Sequence, residues 1–358
     1  MRSRGAAADL PPVTGGWREG DPVGSRRFVD VGDLPLDDGS VLPSVRVAYE
    51  TWGEADGRPS VLVLHALTGD SHVHGPAGPG HPTPGWWDAV VGPGRPIDTD
   101  RFHVVAANIL GGCQGTTGPL SPADDGRPWG ARFPDVTVRD QVRAEVALAD
   151  HLGIDVWHTV VGGSAGGMRA IEWAVEHPGR VERLFLLASS ARASAEQIAL
   201  STTQQAAIVA GGPVAGLDVA RRIAHVAYRS EVELDRRFGR DEQADGRFAV
   251  DSYLAHHGAK LVARFDAESY LVLTRAMDSH DVGRDRGGVA SALARVTART
   301  VVAGIDSDRL YPLHQQQELA DLIDGCLGLD VVHSLHGHDG FLVESDQVGA
   351  LAAKLLDS

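Results

Sequence analysis

Residues 160–168 read Val-Val-Gly-Gly-Ser-Ala-Gly-Gly-Met, and the glycines around Ser164 decide how this stretch folds. The pattern is Gly-x-Ser-x-Gly, with Gly162, Ser164 and Gly166. An apolar run, Trp157 to Val161, precedes it, and an amphipathic run from Met168 to His177, stopped by Pro178, follows. A buried strand therefore turns sharply into a helix at the serine, which is the setting of a nucleophile elbow. The turn strains the serine backbone, and only glycines at the flanking positions let strand and helix pass so closely. It lifts the hydroxyl clear of the sheet, beside a helix N-terminus whose free N–H groups stabilise an oxyanion. A glycine-rich turn with a helix-capping serine also fits the pentapeptide alone, so the flanking chain has to decide.

Toward the C-terminus, Arg299 to Ile305 reads as a buried strand, with Asp306 and Asp308 directly after it. Asp330 to Leu335 reads as the next strand, followed by His336, Gly337, His338 and Asp339. Ser, then Asp, then His at successive strand ends is the chain order of an α/β-hydrolase triad. The chemistry needs all three types. A serine hydroxyl is a poor nucleophile without an imidazole base, and the imidazole needs a carboxylate to fix its tautomer. Spacing leaves open which aspartate and which histidine serve.

Toward the N-terminus, Arg26 to Trp52 alternates short strands with turns. Ser60 to Leu64 is a continuous apolar strand, residues 70–96 form a Gly/Pro-rich loop, and Arg101 to Leu110 is apolar again. Val138 to Leu152 has helical periodicity and Val181 to Leu187 reads as a strand. Strands alternating with helices on this scale predict a mostly parallel central sheet with helices on both faces, an α/β-hydrolase fold. From about Ala191 the pattern changes to helical stretches: Ser194 to Ile208, Gly216 to Tyr228, Phe248 to Ala263 and Ala267 to Met277. The expected organisation is a loose segment over 1–25, a core of 26–190 and 298–358, and a helical lid inserted over 191–297.

Net charge is −15, which argues against nucleic acid or an anionic membrane surface as partner. The only lysines, Lys260 and Lys354, lie outside any P-loop context. No run approaches the ~20 apolar residues of a membrane span, and Met1 to Leu10 lacks the apolar core of a secretory signal. Two cysteines, Cys113 and Cys326, make no disulfide framework, which suits a reducing cytoplasm. His72, His74 and His81, or His333, His336, His338 and Asp339, have no clear metal-ligand spacing, so no metal is expected. Cys113 lacks an elbow and a neighbouring base, and reads as a buried thiol.

Seven motifs in order carry a family resemblance. They are His65-Ala-Leu-Thr-Gly-Asp-Ser-His-Val73, Gly80-His-Pro-Thr-Pro-Gly-Trp-Trp87, Asn108-Ile-Leu-Gly-Gly-Cys-Gln-Gly115 and Gly162-Gly-Ser-Ala-Gly-Gly167. Ser279-His-Asp-Val-Gly283, Ser307-Asp-Arg-Leu-Tyr-Pro312 and Gly337-His-Asp-Gly-Phe341 complete the set. From about residue 25 onward the chain resembles the homoserine O-acetyltransferases of the α/β-hydrolase superfamily. The resemblance implies Asp308 rather than Asp306 as the acid and His338 rather than His336 as the base. It implies that Arg221 and Asp339 hold the amino-acid substrate, with Tyr228 beside them. The strand-end loop and the elbow supply the backbone N–H groups of Leu67 and Ala165 as the oxyanion hole.

A zwitterion does require a fixed cation and a fixed anion, and an arginine fork suits a carboxylate. The residues alone do not choose Arg221 over its neighbour Arg222, nor separate Asp339 from a helix cap. Two departures stand out. Ala165 replaces the methionine common in the family, which widens the pocket and admits a longer acyl group such as succinyl. Ala206 to Gly216 also shortens the lid.

The implied activity is transfer of acetyl from acetyl-CoA to L-homoserine by a ping-pong acyl-serine route, as in methionine biosynthesis. Acetyl-CoA is the co-substrate and no cofactor is implied. A cytoplasmic homodimer joined through the lid is expected. The alternatives are a homoserine O-succinyltransferase, a serine O-acetyltransferase, or an esterase whose acceptor is water.

Overall fold

The computed structural model describes residues 15–357. Eight strands form the central sheet: β1 (Arg27–Pro35), β2 (Val41–Trp52), β3 (Ser60–Leu64), β4 (His103–Ala107), β5 (Thr159–Gly163), β6 (Arg183–Leu187), β7 (Arg299–Ile305) and β8 (Cys326–Val332). Their spatial order is β1-β2-β4-β3-β5-β6-β7-β8. β2 runs antiparallel to both β1 and β4, and the other neighbours are parallel.

The inner strands read as unbroken apolar runs because both faces are covered. Along β3, Leu62 and Leu64 enter one core while Val61 and Val63 enter the other, the two-residue period of a strand. The first core is closed by α1 (Val138–His151) and α2 (Ala165–Glu176), through Val142, Leu148, Ile171 and Trp173. α1 starts at a capping box, in which the Thr137 side chain accepts from Asp140 N and the Asp140 carboxylate accepts from Thr137 N. The second face is closed by the C-terminal helix α9 (Ser345–Leu356) and by the 70–96 loop, whose Trp87 is buried and stacks with Trp86. That loop is long because it does a helix's covering work.

Between β6 and β7 lie α3 (Ala195–Gly211), α4 (Leu217–Tyr228), α5 (Glu231–Phe238), α6 (Ala249–Val262), α7 (Ala267–Asp278) and α8 (Val289–Leu293). A π-type turn over Gly212–Gly216 joins α3 to α4, and Gly212 takes φ 74° there. The end of the insertion is not a cap: Val282, Val289, Leu293 and Val296 all pack into the first core. At the N-terminus, residues 1–14 of the expected loose segment lie outside the described residues. Residues 15–25 are not loose. Trp17 N–H donates to Cys113 O at 2.8 Å and Ser25 N–H donates to His81 Nε2 at 3.0 Å.

Candidate active site

The elbow stands at the end of β5. Ser164 has φ 55° and ψ −125°, a left-handed conformation that costs a non-glycine residue of order 1–3 kcal/mol. Surrounding contacts hold it there. Ser164 N–H donates to Leu187 O at 2.9 Å, and Ser164 O accepts from Ser189 Oγ at 3.0 Å. A Cβ on Gly162 would lie 2.2 Å from Gly166 O, and one on Gly166 would lie 2.0 Å from Leu64 O. The glycines are therefore required by close backbone approach. Because the turn takes no extra residues, α2 begins at Ala165, three positions before the amphipathic pattern suggested.

His338 Nε2 lies 2.8 Å from Ser164 Oγ, and His338 Nδ1 lies 2.6 Å from Asp308 Oδ2. All three side chains are buried. Asp308 Oδ1 accepts from Leu310 N at 2.8 Å and Tyr311 N at 2.9 Å, so the turn after β7 fixes the carboxylate. Burial pulls the His338 pKa down, but the Asp308 charge and hydrogen bond outweigh it and leave the imidazole above its ordinary value. Asp306 turns away. It pairs with His333 Nδ1 at 2.9 Å and accepts from Ser334 N at 3.0 Å, near the surface. His336 instead faces Glu233, with Nδ1 3.1 Å from Oε1. The ambiguity that spacing left is thus resolved to Ser164, His338 and Asp308.

On the other side of Ser164, the loop after β3 carries Leu67 over the N-terminus of α2. The first N–H groups of a helix have no intrahelical acceptor, so the Ala165 N–H is available to a ligand. A buried network behind the loop keeps it in place. Arg169 Nη2 donates to His65 O at 2.6 Å, Arg169 pairs with Glu145, and Trp173 Nε1 donates to Glu145 Oε2 at 2.8 Å. His65 takes its own part, with Nε2 accepting from Ile109 N at 3.2 Å and Nδ1 donating to Ala66 O at 2.8 Å. Burial and the Arg169 charge push its pKa down to about 3, so it is neutral.

α4 lies above the triad. The Arg221 guanidinium sits 5.5 Å from the centre of the Tyr228 ring and 3.5 Å from Thr68 Oγ1. The Tyr228 ring is 5.7 Å from that of His338. Among the described residues no carboxylate pairs with Arg221. Arg222, by contrast, is spoken for by Asp218 at 2.6 Å and Asp251 at 3.8 Å. Of the two arginines, Arg221 is the one on the helix face that meets Tyr228 and Thr68.

Asp339 is held by an arginine: its Oδ2 lies 3.1 Å from Arg229 Nη2. Arg229, at the end of α4, also reaches Glu233 at 3.0 Å. Two further residues escaped sequence reasoning. Tyr311 stacks on His338 at 5.0 Å with its hydroxyl at Ser164, and Arg264 Nη1 donates to Thr68 O at 2.7 Å. Tyr311 lies within a quoted motif but had no assigned role, and Arg264 belongs to no motif.

The remaining histidines are bound up elsewhere. His74 pairs with Asp88 at 2.7 Å. His72 Nδ1 lies 2.9 Å from Glu50, and the His72 and His81 rings stack at 3.8 Å. Glu50, His72 and His81 bring their ligand atoms within 4.8 Å of one another, and Arg26, hydrogen-bonded to Gly80 O and Gln114 close by, adds positive charge beside them. Cys113 is buried, and burial raises its thiol pKa, so it is no nucleophile.

A family profile described as alpha/beta hydrolase fold matches residues 59–345. A homoserine O-acetyltransferase of Thermobifida fusca (strain YX) is 59% identical, covering 96% of this chain and 97% of its own. Among solved structures, a homoserine O-acetyltransferase from Staphylococcus aureus is 29% identical with TM-score 0.80, covering 93% of this chain and 95% of its own. An acetylester hydrolase from Corynebacterium glutamicum is 25% identical, also with TM-score 0.80, covering 94% of this chain and 97% of its own. With its hydrogen-bonded triad on this sheet, the chain is an enzyme of the α/β-hydrolase fold and belongs to the homoserine O-acetyltransferase family.

Proposed function

We propose that the chain moves an acetyl group from acetyl-CoA to the side-chain hydroxyl of L-homoserine, giving O-acetylhomoserine for methionine biosynthesis. Ser164 Oγ attacks the thioester carbonyl and gives its proton to His338 Nε2. The oxyanion is held by the N–H groups of Leu67 and Ala165. Collapse expels the coenzyme A thiolate, which takes that proton, and leaves acetyl-Ser164. The homoserine hydroxyl then loses its proton to His338 and attacks the ester, returning Ser164.

The observation that carries this reading is Arg221, a cation beside the triad with no carboxylate partner among the described residues. It would receive the substrate carboxylate. Arg229 would hold Asp339 by Oδ2 and leave Oδ1 to the substrate ammonium. Loss of a charge-assisted contact costs ~1.5–3 kcal/mol. Arg221→Ala should therefore raise the homoserine KM about ten- to a hundredfold while acylation by acetyl-CoA changes little. A preference for serine, or thiol release indifferent to any amino acid, would replace the reading by a serine O-acetyltransferase or by an esterase. The second of these has the Corynebacterium glutamicum neighbour in its favour.

We further propose a homodimer through the lid. Ile198, Val209, Val214, Val219 and Val226 on α3, α4 and the turn between them are exposed apolar side chains on neighbouring elements. Light scattering should give twice the chain mass at micromolar concentration, and Val219→Asp should lower it to one. The unpaired thiols and a coenzyme A co-substrate suit the cytoplasm. No described helix is long and apolar enough to cross a membrane.

A further inference from the structure

A cavity of about 50 Å³ lies between α3, α4 and α7, and one wall of it packs against the catalytic centre. Leu67 of the oxyanion loop, Met168 of the first turns of α2, and Tyr311 and Tyr228 against His338 form that wall. Leu200 and the half-buried Asp278, the last residue of α7, also line it. Neither Arg221 nor Asp339 lines it, so the two charges assigned to the acceptor lie off this cavity, with Tyr228 between the two regions. What the cavity offers next to Ser164 is apolar surface.

We infer that this cavity receives the acyl chain of the donor, and that Asp278 is a specificity-determining residue restricting it to short, uncharged acyl groups. The inference rests on the acyl-transfer reading above. An acyl carbon on Ser164 Oγ, with its oxygen turned to the Leu67 and Ala165 N–H groups, has the cavity as the apolar space left for its substituent. Size is the first filter. A water needs about 10–15 Å³ on this measure, so the space takes roughly four small groups. An acetyl chain fits it. A succinyl chain, with its added methylene and carboxylate, overfills it and reaches Asp278.

Charge is the second filter. Asp278 Oδ2 accepts from Ser201 Oγ at 3.0 Å and from Gln205 Nε2 at 2.8 Å. No cation pairs with it among the described residues. A distal carboxylate on the acyl group would meet this unneutralised anion in a partly buried site, a repulsive element against the wrong donor. The wider space at Ala165 leaves the Asp278 charge in place, because Asp278 lies on a different element.

The test compares acetyl-CoA, butyryl-CoA and succinyl-CoA, scoring the Ser164 adduct by intact mass and kcat/KM by thiol release with homoserine. Butyryl and succinyl have the same number of carbons, so their ratio isolates charge. The wild type should use butyryl-CoA better than succinyl-CoA. Asp278→Asn should raise the succinyl-to-butyryl ratio about tenfold or more. Leu200→Ala should raise the butyryl-to-acetyl ratio and leave the succinyl-to-butyryl ratio alone. A wild type that takes succinyl as readily as butyryl overturns the proposal, even if neither variant folds. So does an Asp278→Asn ratio equal to the wild-type one. Homoserine-dependent thiol release from acetyl-CoA would survive either failure, which separates this proposal from the reading it rests on.

Discussion

Ser164→Ala will form no acetyl-enzyme with acetyl-CoA and will lose ~10⁴-fold or more in turnover. The argument is geometric before it is chemical. Ser164 is held at φ 55° by the β5–α2 turn, so its Oγ stands 2.8 Å from Nε2 of His338, an imidazole itself braced by the buried Asp308. Cys113 cannot substitute, because burial keeps its thiol protonated. Neighbouring Ser189 directs its hydroxyl to Ser164 O at 3.0 Å, where it braces the turn. The alanine variant keeps the oxyanion hole and the substrate contacts, so its residual rate measures what these achieve without a covalent intermediate. Intact-mass analysis with acetyl-CoA alone should show one acetyl group added to the wild type and none to the variant. An adduct that forms on Ser164→Ala at the wild-type rate would place the nucleophile elsewhere.

Why the serine was legible in the sequence, and Arg229 was not, follows from the range of the forces involved. The elbow is local. Gly162 and Gly166 are demanded by backbone atoms within a few residues or one strand away, and the apolar periods on either side mark the strand and the helix. The inner sheet was nearly as legible: β7 runs from Arg299 to Ile305, as its apolar run predicts. Strand β8, expected over Asp330 to Leu335, instead runs Cys326–Val332, because an edge strand with few buried side chains has no apolar run to mark its ends. Short amphipathic elements were not legible. α5 is a helix of eight residues with few buried side chains, so its pattern carries little signal, yet it brings Glu233 to Arg229 and His336.

The site residues split in the same way. Arg221 could be named through the family resemblance, but its distinction from Arg222 depends on which helix face meets what. Arg222 turns to Asp218, one turn back on α4, and to Asp251 on α6, while Arg221 meets Tyr228 and Thr68. The Arg229–Asp339 pair joins residues on either side of β7 and β8 and has no local signature. Where chain entry to a site is set by the angle between lid and core, sequence periodicity has no purchase on it.

Asp308→Asn will reduce turnover by ~10⁴-fold, while Asp306→Asn will stay within about threefold of the wild type. Both aspartates follow β7, two residues apart, and only their partners distinguish them. Asp308 is 5% exposed and accepts from Leu310 N, Tyr311 N and His338 Nδ1. Asparagine there keeps the two backbone bonds through its carbonyl oxygen and turns its amide donor toward Nδ1. Nδ1 must then lose its proton, which leaves the proton on Nε2, where it blocks abstraction from Ser164. The pH profile separates this from a simple charge effect. His338 acts as a base only when neutral, so the acid limb of wild-type kcat/KM should lie above ~6.5, its ordinary value. Removing the Asp308 charge leaves burial opposed only by the Asp339 charge and should move that limb to lower pH. At neutral pH the variant would then hold more neutral imidazole than the wild type and still be far slower. That combination identifies the tautomer as the cause. Asp306 bears on His333 and Ser334 at the surface, where an ion pair is worth ~0–1 kcal/mol and no reacting atom is touched. Equal losses from the two substitutions, or an Asp308→Asn limb that stays where it is in the wild type, would show that Asp308 does not orient His338 during turnover.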